Sequence, residues 1–366
     1  MRRVMIISMH KSYDYRIERH IRSLLKIGVD VVYYNITNEE APTSFVHEKY
    51  RYIPLRIDRK SPIRILKIIN FLRKEVNKNV NGYIFIQDPP LLVLVPFVKN
   101  KRRIVLDIHE IPTGYSPVEK LLSKYSKNRI NEVKISALNI PGTIFMDNFP
   151  MISDFDVEIE APQIERKRTL SCNFVYSGMI TEENRQILKT LKVFEILLRN
   201  NIAIKIFLIG PVANRIKKEE IQKEISLLET KYPESFTYYG ARDHAFVVSK
   251  LKESDFSFNL LNVDDTQALS PNKLYESMAA GVIPITNHTN YSSKIPEELM
   301  IVVKKDATPE DIVSKIEYII LNEDVYSLKK ENRNFIISHG YYWERYLSYY
   351  MEIFKENDQK TFEVCG

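Results

Sequence analysis

Short apolar runs alternate with longer stretches of helical periodicity along most of the chain. RRVMIIS (2–8) is an apolar run with β-branched residues and predicts a buried strand. In DYRIERHIRSLLKIG (14–28), Ile17, Ile21, Leu24 and Leu25 recur at helical spacing, and Gly28 stands where a helix C-terminus favours glycine. VDVVYYNI (29–36) predicts the next strand. Strand, helix, glycine and strand in this order make a βαβ unit, which implies a parallel sheet with right-handed crossovers.

The pattern then repeats. Ser61-Pro62 supplies a cap and a first-turn proline for a helix, IRILKIINFLRKEV (63–76), that is apolar on one side and basic on the other. GYIFIQD (82–88) predicts a strand stopped by Pro89-Pro90, and RRIVLDIHE (102–110) predicts another. Its polar Asp-x-His-Glu end falls at the carboxyl edge of the sheet, where open α/β sheets bind ligands. Over 139–171 prolines and polar residues break the pattern, and the domain boundary is placed there. A second α/β series follows. CNFVYSG (172–178), IKIFLIG (204–210), FTYYG (236–240) and DFSFNLL (255–261) predict strands. Helices are predicted at 185–200, 215–231 and 244–254, and SPNKLYESMAAGVIPIT (270–286) reads as loop, helix and strand. The stretch 332–357 reads as one or two aromatic-rich helices. The expected fold class is α/β.

The chain has 366 residues, which fits two domains. Cys172 and Cys365 lie far apart with no C-x-x-C partner, so neither a disulfide framework nor a structural zinc site is expected, and a reducing cytosol fits. No apolar run approaches the roughly 20 residues of a membrane span. Charge is uneven. Residues 1–150 hold 26 Lys+Arg and 14 Asp+Glu, a net +12, and residues 151–366 hold 27 and 33, a net −6. The first half is therefore expected to face something anionic, with nucleic acid, acidic lipid and an acidic polymer as candidates and ordinary surface variation as the alternative.

Phosphate-loop, G-x-G-x-x-G, H-E-x-x-H and G-x-S-x-G motifs are absent. Asp154-Phe155-Asp156 has the D-x-D form of metal-dependent sugar transferases but falls in the expected linker, and no metal site is assigned. Ser270-Pro271-Asn272-Lys273-Leu274-Tyr275-Glu276 carries more chemistry. A helix starting near Asn272 offers unpaired N–H groups and a positive dipole end, which suit a phosphate. Lys273 adds a charge, and Glu276, one turn in, has the geometry to accept from two ribose hydroxyls. An amphipathic helix with ordinary surface charges is the alternative.

The run PNKLYESMAAGVIPI resembles the donor-site motif of nucleotide-sugar glycosyltransferases of the GT-B fold, in particular the large retaining family four. DYRIERHIRSLLKIGVDV looks like that family's first helix and second strand, VLDIHE like its Asp-x-His strand end, and FVYSG, IFLIG and YYG like successive strand ends of its C-terminal domain. The resemblance implies two Rossmann-like domains facing across a cleft. An acceptor-binding domain would span 1–150, a nucleotide-sugar-binding domain 151–335, and helices at 336–366 would cross back to the first. Glu276 would bind the donor ribose, and the backbone from Ser270 and Pro271 through Asn272 to Leu274 would hold the diphosphate. Gly178 would let the diphosphate approach, with Arg185 and Lys273 as cations. His109 would line the cleft near the sugar.

Two positions depart from the family pattern. Ala268 replaces the first glutamate of the family's pair, which leaves Asp264, Asp265 or Gln267 for the sugar contact. Met179 replaces an arginine. The expected activity is transfer of a sugar from a nucleotide diphosphate sugar, most simply UDP-type, to a saccharide or lipid-linked hydroxyl in surface polysaccharide or glycolipid synthesis. It would proceed with retention and without metal or other cofactor. A non-catalytic nucleotide-sugar-binding homologue and a sugar-nucleotide epimerase are the alternatives. No nucleic-acid recognition motif is present. Helix 61–76, with Arg64, Lys67, Arg73 and Lys74, is expected to pack its apolar side on its own sheet and to present its basic side to an anionic cytoplasmic leaflet.

Overall fold

The computed structural model describes residues 3–10, 14–37, 46–56, 62–78, 82–99, 101–108, 117, 128–131, 143–156, 172–200, 203–213, 216–262, 272–287 and 295–362. The chain forms two compact units, Met1–Asn148 with Trp343–Gly366, and Phe149–Tyr342.

The first unit is built on seven parallel strands in the order β3-β2-β1-β4-β5-β6-β7. They are β1 (Arg3–Ser8), β2 (Asp30–Asn35), β3 (Tyr50–Pro54), β4 (Tyr83–Ile86), β5 (Ile104–Ile108), β6 (Asn128–Asn131) and β7 (Thr143–Phe145). Helix α1 (Tyr15–Lys26) joins β1 to β2 as its periodicity predicts. The Asp14 side chain caps it by accepting from Arg16 N–H, and Gly28 follows it with φ +81°. Helix α2 (Pro62–Lys78) buries Leu72 and Val76 against the strand residues Ile7, Val32, Tyr34, Ile84 and Ile86.

The C-terminal segment belongs to this unit. Trp343 and Tyr350 are fully buried. Trp343 Nε1 donates to Ser23 Oγ at 3.0 Å, and the Arg19 guanidinium lies 4.4 Å from the indole ring. The Tyr350 hydroxyl is 2.6 Å from His20 Nδ1, whose Nε2 lies 2.8 Å from Asp107 Oδ2, all buried. The helix Leu347–Phe362 continues along the same unit, where Tyr83 donates to Ile353 O at 3.1 Å.

The second unit has six parallel strands in the order β10-β9-β8-β11-β12-β13. They are β8 (Asn173–Ser177), β9 (Lys205–Ile209), β10 (Phe236–Tyr238), β11 (Phe256–Asn259), β12 (Ile283–Thr286) and β13 (Ile301–Val302). Its core gathers Phe174, Phe194, Ile206, Leu208, Phe256, Phe258, Ile283 and Ile312 from strands and covering helices.

The structure corrects three expectations and extends a fourth. The stretch 185–200 is not one helix: a short turn, Glu182–Arg185, is separated from Ile187–Asn200 by Gln186 at φ +44°. Gln186 Nε2 donates to Leu261 O at 3.1 Å, a tertiary contact that breaks the helical run. Strand β5 begins at Ile104, because Lys101–Arg103 form a 3-10 turn. Helix 215–231 begins at Lys218, after Lys217 at φ +62°. The prolines after β4 do more than stop it: Pro89–Phe97 forms a 3-10 helix that buries Leu91, Leu92, Leu94 and Val95.

Candidate functional sites at the sheet edges

In an open parallel sheet, ligands bind outside the carboxyl ends of the strands, where the strand order reverses. The two reversals here fall between β1 and β4 and between β8 and β11.

In the second unit, β8 ends at Gly178, β9 at Gly210 and β10 near Gly240. Gly178 and Gly210 both have φ +141°. A Cβ on Gly210 would stand 1.7 Å from Gly178 O, so only glycine fits there. Thr181, three residues past Gly178, is buried with its hydroxyl unpartnered among the described residues. Asn259, at the end of β11, is buried with Nδ2 likewise unpartnered. Buried polar groups without a protein partner are rare and costly, and at a strand-end edge a water or a ligand can complete their bonding. The loops after β8, β11 and β12 are tied together. Asn262 N donates to Asn184 O at 3.0 Å, and Leu261 N donates to Asn287 Oδ1 at 2.8 Å.

The helix Asn272–Ala279 connects β11 to β12 and puts its first turn on this edge. The N–H groups of such a turn have no partners within the helix. Glu276 lies 1% exposed inside it. Asn272 Nδ2 donates to one of its carboxylate oxygens at 2.8 Å and Lys273 Nζ to the other at 2.9 Å. Lys273 thus neutralises Glu276 in this structure. At the far end, Gly281 at φ +72° closes the helix, and the Arg333 guanidinium donates to Ala279 O at 2.6 Å and to Phe155 O. Burial lowers the Arg333 pKa, with Asp156 opposing. Leu274 is buried core, so only its backbone serves the site. Arg185 ends the turn after β8 and acts electrostatically on Tyr176, a residue of that strand. Met179 is 51% exposed on the same loop. Ser270, Pro271, Asp264, Asp265 and Gln267 lie outside the described residues.

In the first unit the reversal carries residues that the sequence patterns did not single out. Met9 N donates to Asp88 Oδ2 at 2.6 Å, which ties the exit of β1 to that of β4. His10 sits between two carboxylates, 3.5 Å from Asp14 and 3.5 Å from Asp88, and Arg16 pairs with Asp14 at 2.6 Å. These side chains are partly exposed. Below them Ser8 Oγ reaches Asn35 Oδ1 at 2.9 Å and the Tyr33 hydroxyl at 2.6 Å. A partly open edge of carboxylates, imidazole and guanidinium suits a polyhydroxylated ligand, since it offers both donors and acceptors. Their shared signal is position, each within a few residues of a strand end at the reversal. His109 lies outside the described residues; Asp107, two residues before it, is buried against His20.

Among the described residues, no group of three or more His, Cys, Asp or Glu side chains is placed to hold a metal ion. Asp154 lies 3.5 Å from His244, and its neighbour Phe155 is buried.

No family model matches the chain, and no curated protein matches it in sequence. Solved structures do match. A glycosyltransferase from Rickettsia africae ESF-5 is similar with TM-score 0.67 and 13% identity, over 97% of this chain and 98% of that one. Sucrose-phosphate synthase from Thermosynechococcus elongatus gives 0.65 and 12%, over 98% and 100%. The E. coli trehalose-6-phosphate structure bound with UDP-2-fluoro glucose gives 0.62 and 10%, over 96% and 98%. The parallel sheets, their reversal points and these likenesses together show that the chain has the GT-B fold of glycosyltransferases.

Proposed function

We propose that the protein is a glycosyltransferase that moves a sugar from a nucleotide diphosphate sugar to a hydroxyl of a saccharide or lipid-linked acceptor. The observation that carries this reading is Glu276, a carboxylate buried at the reversal edge of the second sheet and one turn inside a helix start. Ribose hydroxyls would take over the hydrogen bonds that Asn272 and Lys273 now give it. Freed by that exchange, the Lys273 ammonium would turn to the diphosphate. Backbone N–H groups of the first turn and Arg185 would stabilise the charge that develops as the sugar–phosphate bond breaks. Gly178 and the Thr181 hydroxyl would line the approach. One structural neighbour is bound with UDP-2-fluoro glucose, which supports a UDP-type donor.

In the first unit, His10, Asp14, Arg16 and Asp88 would hold the acceptor's hydroxyls. Surface polysaccharide or glycolipid synthesis is the setting that the family resemblance implies, and retention of configuration is the implied outcome. Charge stabilisation by the helix start and basic side chains would let the reaction run without metal.

Incubating the protein with UDP-sugars, with and without saccharide or lipid-linked acceptors, tests this. UDP release should rise with acceptor, survive EDTA and accompany a product whose anomeric coupling matches the donor's. Met179, exposed where the family carries a cation, favours a second reading, a protein that binds the donor without transferring it. Nucleotide binding with no donor breakdown would select that reading, and conversion of the donor without acceptor would select an epimerase.

A further inference from the structure

Helix α2 turns only part of its circumference to the sheet. Leu72 and Val76 are buried, and Ile68 and Ile69 pack against the same cluster. At about 100° per residue, Leu66, Lys67, Phe71, Arg73 and Lys74 fall on the remaining arc. All five are exposed, Leu66 at 65% and Phe71 at 40%. Sequence periodicity assigns neither Leu66 nor Phe71 to the buried side; Phe71 rests edge-on against Tyr34 on one flank, and Leu66 stays in water.

The 3-10 helix Pro89–Phe97 packs beside α2 and extends this surface. Leu91, Leu92, Leu94 and Val95 are core, while Val93 and Phe97 stand 38% and 40% exposed. The Arg73 guanidinium lies 5.5 Å from the Phe97 ring centroid and joins the two elements. Lys99 and Lys101 follow, both exposed. Residues 62–78 and 89–103 together hold nine Lys+Arg and one acidic residue, Glu75. Glu75 is tied to Lys78 at 2.7 Å and accepts from the Tyr34 hydroxyl at 3.1 Å, interactions that keep its pKa low.

We infer that this surface docks on an anionic lipid bilayer, with Leu66, Val93 and Phe97 entering the boundary between headgroups and acyl chains. Large apolar side chains set among basic ones are what an interfacial membrane surface requires, because the apolar groups leave water while the cations meet lipid phosphates. A nucleic acid would use the cations but give Leu66 and Val93 nothing to stack on. Clustered exposed apolar groups also mark interaction sites in general, and the basic surround selects an anionic partner. The inference goes beyond the sugar transfer proposed above and differs from the sequence expectation, in which the basic face alone meets lipid. Insertion leaves part of the attachment resistant to salt.

Flotation of the full chain with vesicles of phosphatidylcholine alone, or mixed equally with phosphatidylglycerol, reads this without turnover. The protein should float with the mixed vesicles far more than with the neutral ones, and lose only part of that binding when salt is raised. The Leu66→Ser/Phe97→Ser variant should partition about tenfold less, and Lys67→Glu/Lys74→Glu should lose low-salt binding. All four positions are exposed, and unchanged melting temperatures would confirm that the variants fold. Absence of flotation on mixed vesicles at low salt overturns the inference, whether the patch then binds a nucleic acid or a second copy of the chain. So does a Leu66→Ser/Phe97→Ser variant that binds like the wild type, since charge alone would then explain attachment.

Discussion

Glu276 is a buried carboxylate one turn inside a helix start, bonded on both oxygens by Asn272 and Lys273. Glu276→Gln should keep the fold and weaken nucleoside diphosphate binding by about 1.5–3 kcal/mol, the worth of a charge-assisted hydrogen bond; calorimetry giving unchanged affinity would remove Glu276 from the site. Lys273 was legible as a cation, and its spacing three residues before Glu276 also permitted the pairing that forms. Lys273→Met should therefore affect both partners. It should lower nucleotide affinity and also stability, by about 1 kcal/mol since the ammonium is partly exposed; a loss of affinity with stability fully unchanged would mean that the pair contributes nothing to the fold. Thr181, Asn259, His10 and Asp88 were not legible. Each is an ordinary polar residue in its own segment, and only the strand order brings it to a reversal point.

At the scale of elements, the long amphipathic runs and the glycine-ended strands were readable because periodicity and chain reversal are local properties. The strands β3, β6, β7 and β13 were not singled out, since YRYIP and NRIN carry no continuous apolar run and TIF and IV are only three and two residues long. The break at Gln186 depends on its bond to Leu261, seventy-five residues away in sequence. The glycines carry a testable cost. Gly210→Ala puts a methyl against Gly178 O in a backbone conformation that alanine avoids. We expect about 3 kcal/mol of destabilisation or more, seen as an earlier denaturant midpoint of the second unit. An unchanged midpoint would show that the β8 and β9 ends are farther apart in solution.

For the whole molecule, the crossing back of the C-terminal segment followed from the family resemblance and not from any local pattern. Trp343 fills the first unit against Arg19, His20 and Ser23, so Trp343→Ala should cost about 3–5 kcal/mol, read as denaturant unfolding of that unit. In the second unit burial pushes the Cys172 thiol and the Tyr176 phenol each up to about 12. Both stay protonated in the fold while the unfolded chain releases protons from about pH 9 upward, so native stability should fall as pH rises through that range. Melting temperatures across it would show the decline, and a flat profile would contradict the burial of both groups. The central claim, that the second unit binds a nucleotide diphosphate sugar, is met most directly by melting the full chain with UDP-, GDP- and ADP-sugars and with the free nucleosides. At a hundredfold excess over Kd the stabilisation is about 2.7 kcal/mol, a rise of about 5 °C or more. The account predicts that rise with at least one nucleotide diphosphate sugar, UDP-type first, and none with nucleosides; no rise with any of them at millimolar concentration would contradict it.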